Sequence, residues 1–195
     1  MRGNAGVIFS VTIADHYDNV GMLFADLVGF TPLSALLTAR ESFAVLTEVF
    51  TYFDGVIEAT GVEKVRTVGN GYYLVSGVPK ARADHAHALA ATALKMMKFA
   101  QHSDSPLLKN LQLRMGIHSG SVIAGVIGNN KFQFDLWGDT VKTASRMESH
   151  GEPNRIQISE QSYELIKGQF YCEPRGEIRI KGKPTMRTWF LLGHK

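Results

Sequence analysis

The sequence predicts a single α+β domain in which helices flank a largely antiparallel sheet. Its 195 residues suit one domain at roughly 150 residues per domain. Hydrophobic residues make up 45% of the chain and charged residues 20%, which is typical of a globular protein. Strand-like and helix-like segments follow one another in the irregular order β, α, α, β, β, α, β, β, α, β, α, β, β. Mixed runs of this kind are typical of α+β proteins.

The first third of the chain is predicted to contain one strand and two helices. Residues 1–17 are assigned to an N-terminal linker or expression remnant, and residues 1–6 are left out of the fold prediction. The strand covers residues 20–26. Thr31 is then the predicted N-cap of a short helix, with Pro32 at its first position. The next helix ends at Gly61 and has an apolar face with spacings of three and four: Phe43, Leu46, Phe50, Phe53 and Ile57.

The remaining elements begin with a hairpin. Residues 62–68 and 72–77 are two strands joined by Gly69-Asn70-Gly71, because Asn and Gly accept positive φ. The later segments are a helix over 82–101, strands over 111–118 and 121–127, a helix over 140–150, a strand over 156–159, a helix over 161–167 and a closing hairpin across 181–183.

Composition excludes several classes of protein. The single cysteine, Cys172, cannot form an internal disulfide. The net charge of +3 is too small to indicate nucleic-acid binding without a concentrated basic patch. No run approaches the ~20 apolar residues of a membrane span. We therefore expect a cytoplasmic domain that contacts neither nucleic acid nor membrane.

Spacing alone leaves two polar groups open to more than one interpretation. Asp26 ends a buried strand before a glycine-containing turn, so it could hold Mg²⁺ over a phosphate or simply cap the turn. Lys142 and Arg146 are four residues apart and share a helix face. That face could bind a polyphosphate or could simply be solvated.

Several longer motifs resemble those of class III nucleotidyl cyclases. They are FADLVGFT (24–31), EKVRTVG (63–69), GIHSG (116–120), LWGDTV (136–141), TASRME (143–148), RIQIS (155–159) and IKGK (180–183). The resemblance implies the class III cyclase fold, with its ferredoxin-like core. It also implies that residues 18–195 form the catalytic domain.

This resemblance implies a reaction at a dimer interface assisted by two Mg²⁺ or Mn²⁺ ions. In that family two domains pair head to tail and each active site lies between them. The first metal aspartate is matched by Asp26, the backbone metal ligand by the carbonyl of Leu27, and the second metal aspartate by Asn70. The turn residues Gly29, Phe30 and Thr31 match the segment whose N–H groups cradle the phosphates.

The other half of the site implied by the resemblance recognises the base and the phosphates. Arg66 and Asp135 stand where adenylyl cyclases read the adenine edge, which favours ATP as the substrate. Arg146 matches the transition-state arginine, and Lys181 matches a lysine on the triphosphate. Lys142 stands at the position that orients the ribose, so Arg146, Lys142 and Asp26 are the catalytic candidates.

Three positions depart from the family pattern and leave two functions open. Asn70 replaces an aspartate, Lys142 replaces an asparagine and Arg66 replaces a lysine. One function is a homodimeric adenylyl cyclase that forms 3′,5′-cyclic AMP and pyrophosphate. The other is a weak or inactive cyclase-like domain that binds nucleotide and regulates or complements a partner chain, as in a heterodimer.

Overall fold

The computed structural model describes residues 13–106, 108–109, 111–127, 133–180 and 182–195. These residues form one eight-stranded sheet with helices on both faces. The strands are β1 (Ile13–Val28), β2 (Glu63–Val68), β3 (Gly71–Ser76), β4 (Gln112–Ile127), β5 (Gln133–Trp137), β6 (Ile156–Ser159), β7 (Phe170–Ile178) and β8 (Met186–His194). The helices are α1 (Phe30–Ser34), α2 (Ala39–Thr60), α3 (His85–His102), α4 (Asp139–Ser149) and α5 (Glu160–Ile166).

The sheet has the strand order β2-β3-β1-β4-β6-β8-β7, with β5 paired to β4 off this path. Within the described residues, β4 and β6 are the only parallel pair. The predicted α+β class with a largely antiparallel sheet is therefore confirmed.

No helix in the described part of the chain is long and apolar enough to cross a membrane.

The two faces of the sheet are covered by different helices. Helices α2 and α3 pack on one face, where Phe53 and Leu89 join the strand residues Leu23 and Met115 in the main core. Helix α4 packs on the other face, where Ala144 belongs to a smaller apolar cluster with Met22, Phe24 and Val122. Because successive residues of a strand point to opposite faces, Phe24 and Asp26 share the α4 face of β1.

The long strands differ from the sequence prediction. β1 begins at Ile13 and continues past Asp26 to Val28, with a register shift between Tyr17 and Val20. The two strands predicted over 111–118 and 121–127 are one continuous strand, β4, because β1 pairs with it along most of its length. The short strand β5 was not predicted. The predicted order of elements still matches because β5 takes the place of the second half of β4.

The predicted helix starts were also partly wrong. Gly29, with φ of 77°, is the N-cap of α1, so Thr31 lies inside the helix rather than capping it. Helix α2 is capped by Thr38, whose hydroxyl accepts from the backbone N–H of Glu41 while the Glu41 carboxylate accepts from the backbone N–H of Thr38. Phe43, predicted to face the core, is 72% exposed. The Gly69-Asn70-Gly71 hairpin and the end of α2 at Gly61 are confirmed.

Helix α4 can approach β4 closely because Gly116 has no side chain. A Cβ built at Gly116 would overlap the backbone of Met147 and Glu148.

We predict that Gly116→Ala lowers the free energy of unfolding by about 3 kcal/mol or more, measured by urea denaturation. The control is Gly55→Ala in α2, where a Cβ meets no atom within 4 Å. That change should stabilise the protein by up to ~1 kcal/mol, and equal effects of the two substitutions would contradict the account of the α4 contact.

Candidate active site

Asp26 lies near the end of β1, beside the turn between β2 and β3. The β1–β3 register places Asp26 opposite Gly71, which brings Asn70 beside it. The amide nitrogen of Asn70 donates to Oδ1 of Asp26 at 2.8 Å and to the carbonyl oxygen of Leu27 at 2.9 Å. The structure therefore brings together the three residues that the sequence analysis assigned to metal binding.

Two further charged residues, Arg114 and Glu148, adjoin Asp26. Arg114 lies opposite Asp26 in the β1–β4 register, and a guanidinium nitrogen approaches Oδ2 of Asp26 at 3.6 Å. The Nε of Arg114 also donates to Glu148 at 2.7 Å. Burial raises the pKa of Asp26, while Arg114 and the Asn70 hydrogen bond oppose that rise. Burial also raises the pKa of Glu148, again opposed by Arg114.

The donor set around Asp26 fits one hard divalent cation. The Asn70 amide lies within hydrogen-bonding distance of the Asp26 carboxylate and the Leu27 carbonyl. The carboxylate and the carbonyl are oxygen ligands of the kind that Mg²⁺ prefers, whereas Asn70 directs its amide nitrogen at both of them. Only Asp26 among these three carries a negative charge. Within the described residues, no group of three or more His, Cys, Asp or Glu side chains could hold a metal ion. The residues present thus offer one charged ligand rather than two.

The turn residues Gly29, Phe30 and Thr31 lie two to four positions beyond Leu27, at the start of α1. The positive φ of Gly29 turns the chain from β1 into the helix, and its carbonyl accepts from the backbone N–H of Leu33 at 3.1 Å. Phe30 is buried in the main core, which anchors the turn to the sheet. The assignment of these residues to phosphate binding stays a prediction.

A second group of candidate residues lines an open cleft of about 560 Å³ between the sheet, α4 and the β7–β8 connection. Lys142 and Arg146 enter it from α4, and Arg66 enters it from β2. The rings of Phe24 and Tyr73, with centroids 4.4 Å apart, form its sheet side. The other lining residues are Asp139, Val141, Ser145, Ile180, Gly182 and Lys183.

Arg66 and Asp135, which are 69 residues apart in sequence, form an ion pair at the edge of this cleft. A guanidinium nitrogen of Arg66 donates to Oδ2 of Asp135 at 3.0 Å. The other carboxylate oxygen of Asp135 accepts from the backbone N–H of Leu136 at 2.9 Å. The Asp135 side chain is 23% exposed, so its carboxylate is fixed in orientation and still reaches solvent.

The β7–β8 connection contributes Lys183 to the cleft. Its ammonium group contacts the Asp139 carboxylate and the Thr143 hydroxyl at the start of α4. The hydrogen bond from Lys183 holds the pKa of Asp139 below its usual value. Lys181, predicted to bind the triphosphate, lies outside the described residues. Its neighbours Ile180 and Gly182 line the cleft.

Apart from the turn residues at the start of α1, the predicted site residues within the described part of the chain form two groups. Asp26, Leu27 and Asn70 form the group that we call the acidic edge, and none of them lines the cleft. The cleft group comprises Arg66, Lys142, Arg146 and, through its ion pair, Asp135. Tyr73 lies near both groups, since burial and the Glu148 and Asp26 charges raise its pKa while Arg66 lowers it.

Sequence reasoning missed Arg114, Tyr73 and the role of Glu148. Asp26 and Arg114 lie opposite each other because of the β1–β4 register, which no local sequence pattern predicts. Alternation along β3 could have placed Tyr73 on the face opposite Tyr72.

Residues 12–193 match the family model of the adenylate and guanylate cyclase catalytic domain. The chain belongs to this family. It is 42% identical over 183 residues to an adenylate cyclase of Mycobacterium tuberculosis, covering 94% of this chain and 41% of that protein. It is also 41% identical over 189 residues to the receptor-type guanylate cyclase gcy-28 of Caenorhabditis elegans, covering 93% of this chain and 15% of that protein.

A solved structure in this family is similar over nearly the whole domain. The guanylate cyclase domain of RhGC from Catenaria anguillulae, in complex with GTP, has a TM-score of 0.89 and 34% identity. The match covers 93% of this chain and all of that chain. The predicted class III cyclase fold is therefore confirmed. This chain spans 41% of the adenylate cyclase and 15% of the guanylate cyclase described above.

Proposed function

We propose that this cyclase domain acts on ATP and forms 3′,5′-cyclic AMP and pyrophosphate. The observation that carries the proposal is the Arg66–Asp135 pair. Asp135 can accept a hydrogen bond from the adenine amino group, whereas a carboxylate would repel the carbonyl oxygen that guanine presents there. The adenylate cyclase relative from M. tuberculosis supports this preference, and the guanylate cyclase relatives show that family membership alone does not decide it.

The reaction joins the ribose 3′-oxygen to the α-phosphorus and breaks the bond from that phosphorus to the oxygen bridging to the β-phosphate. Pyrophosphate leaves, and the hydroxyl proton passes to solvent. A divalent ion held by Asp26 and the Leu27 carbonyl would make the hydroxyl more acidic and offset phosphate charge. The oxygen of Asn70 would become a third ligand once its side-chain amide turns over, since the nitrogen faces Asp26 and Leu27 in this structure. Arg146 would stabilise the negative charge that grows on the α-phosphate oxygens.

Each reacting nucleotide would contact two domains, as the class III resemblance implies. One domain contributes its acidic edge and the other contributes Arg66, Asp135 and Arg146. A head-to-tail homodimer then contains two equivalent sites, as a two-fold interface requires. The reaction would use two Mg²⁺ or Mn²⁺ ions per site, and Asn70 would weaken the binding of the second ion.

A second candidate function is supported by the hydrogen bonds of Asn70. Its amide nitrogen is directed at Asp26 and Leu27, the same two groups assigned to metal binding. A neutral amide at this position removes one negative charge from a two-metal site. The domain would then be weakly active alone and would supply its cleft group to a partner chain with an intact acidic edge.

The base preference predicts the effect of Asp135→Cys. Loss of a hydrogen-bonded carboxylate typically costs ~1–3 kcal/mol, so turnover of ATP should fall about tenfold or more, while the ratio of ATP to GTP turnover shifts toward GTP. Both products are measured with Mn²⁺. The control is Asp104→Cys, which places the same thiol at an exposed loop position. Unchanged selectivity in Asp135→Cys would remove Asp135 from the base pocket.

The charge of the acidic edge predicts the metal dependence. Mg²⁺ favours carboxylate ligands and releases its waters reluctantly, so we expect this chain, with Asn70, to be weak or inactive with Mg²⁺ and more active with Mn²⁺. Asn70→Asp should raise cyclic AMP formation with Mg²⁺ at least tenfold. The measurement is a paired assay of both proteins with each metal.

The control for this assay is Asn19→Asp. It adds the same charge at an exposed position of β1, seven residues before Asp26. It should leave the metal preference unchanged. If Asn70→Asp has no effect with either metal while ATP still binds, the missing charge is not the defect, and the complementing-domain function is favoured.

A further inference from the structure

The charges that line the cleft are not all compensated. Four of its lining residues are cationic, namely Arg66, Lys142, Arg146 and Lys183. Arg66 is paired with Asp135, and Lys183 is paired with Asp139. Among the described residues, neither Lys142 nor Arg146 has an acidic partner within salt-bridge distance. Two positive charges are therefore left for a ligand of the cleft.

These two cations lie next to each other on the same surface. They are four residues apart on α4, which places their side chains one helical turn apart on the same face. Both side chains are exposed and both line the cleft. The ammonium group of Lys142 can turn freely on its flexible stem, and the guanidinium of Arg146 offers a fixed planar fork. Adjacent groups of this kind match the successive anionic units of a polyphosphate.

Contacts at both ends of α4 hold the backbone of this pair in place. The next turn of the helix is fixed to the sheet because Glu148 pairs with Arg114, and Met147 is fully buried. At the N-terminal end, Thr143 and Asp139 bind Lys183. The backbone that bears Lys142 and Arg146 is thus held at both ends, and only their side chains need to order on binding.

We propose that Lys142 is a phosphate-binding residue that acts with Arg146 to hold the triphosphate of the nucleotide directly, without a divalent metal. The inference rests on the proposed function for the identity of the ligand, a nucleoside triphosphate. It assigns Lys142 to phosphate binding rather than to ribose orientation. It also gives the domain nucleotide affinity that does not depend on the single carboxylate of its acidic edge.

The test is ATP binding in the presence of EDTA, measured by titration calorimetry at low and high salt. Lys142→Gln should weaken ATP binding about tenfold, because a charge-assisted contact is lost, and Lys142→Arg should retain most of the affinity. Affinity for the wild-type protein should fall in the order ATP, ADP, AMP, adenosine. The dependence of binding on salt should be smaller in Lys142→Gln.

The matched control is Lys95→Gln, since Lys95 is an exposed lysine on α3, which packs on the opposite face of the sheet. It should leave binding unchanged. A second measurement follows the reaction of individual lysines with an acetylating reagent by mass spectrometry. ATP in EDTA should slow the modification of Lys142 and leave that of Lys95 unaffected.

Two results would overturn the inference. One is equal metal-free affinity of wild type and Lys142→Gln for ATP, and the other is equal affinity of the wild type for ATP and adenosine. Either result leaves the cyclase reaction untouched if cyclic AMP is still formed with Mn²⁺. Conversely, metal-free binding that depends on Lys142, in a domain that forms no cyclic AMP, retains the inference and rejects the catalytic proposal.

Discussion

The close contact between α4 and β4 at Gly116 sets the geometry on which both groups of site residues depend. This helix carries Lys142 and Arg146 into the cleft. It also carries Glu148, which holds Arg114 against the carboxylate of Asp26. A side chain at Gly116 would overlap the α4 backbone and displace the helix. One packing contact therefore couples the cleft to the acidic edge.

The two groups differ in their charge balance. The acidic edge has the Asp26 carboxylate, a neutral Asn70 and the nearby ion pair of Arg114 with Glu148. The cleft has an excess of positive charge after its internal ion pairs are counted. In the proposed mechanism, the cleft supports nucleotide binding even where metal binding is weakened. We therefore expect a change at Asn70 to alter catalysis without abolishing recognition of the substrate.

Much of the fold could be predicted from the sequence because its signals are local. The Gly69-Asn70-Gly71 turn, the helix stop at Gly61 and the apolar spacing of Phe53 and Ile57 in α2 each follow from a few adjacent residues. The start of β1 and the continuity of β4 could not be predicted, because the pairing of these two strands with each other stabilises them. Strand β5 was not predicted either, because it is stabilised by pairing with the far end of β4.

The candidate site was predicted only in part. Helical spacing placed Lys142 and Arg146 together, and motif resemblance grouped the acidic edge. Motif resemblance also assigned Arg66 and Asp135 to one base-reading site, but their ion pair forms only because the sheet brings distant segments together. Asp26 and Arg114 lie opposite each other only because of the β1–β4 register, and neither segment's sequence alone predicts that register.

The central claim is that one domain contributes its acidic edge, and another its cleft, to each active site. The most direct test mixes two inactive variants, Asp26→Ala and Arg146→Ala, and measures cyclic AMP formation with Mn²⁺ and ATP. In randomly assorted dimers, half of the dimers are mixed and each mixed dimer has one intact site, so the mixture should recover about a quarter of wild-type activity. A mixture no more active than the separate variants would contradict the shared site.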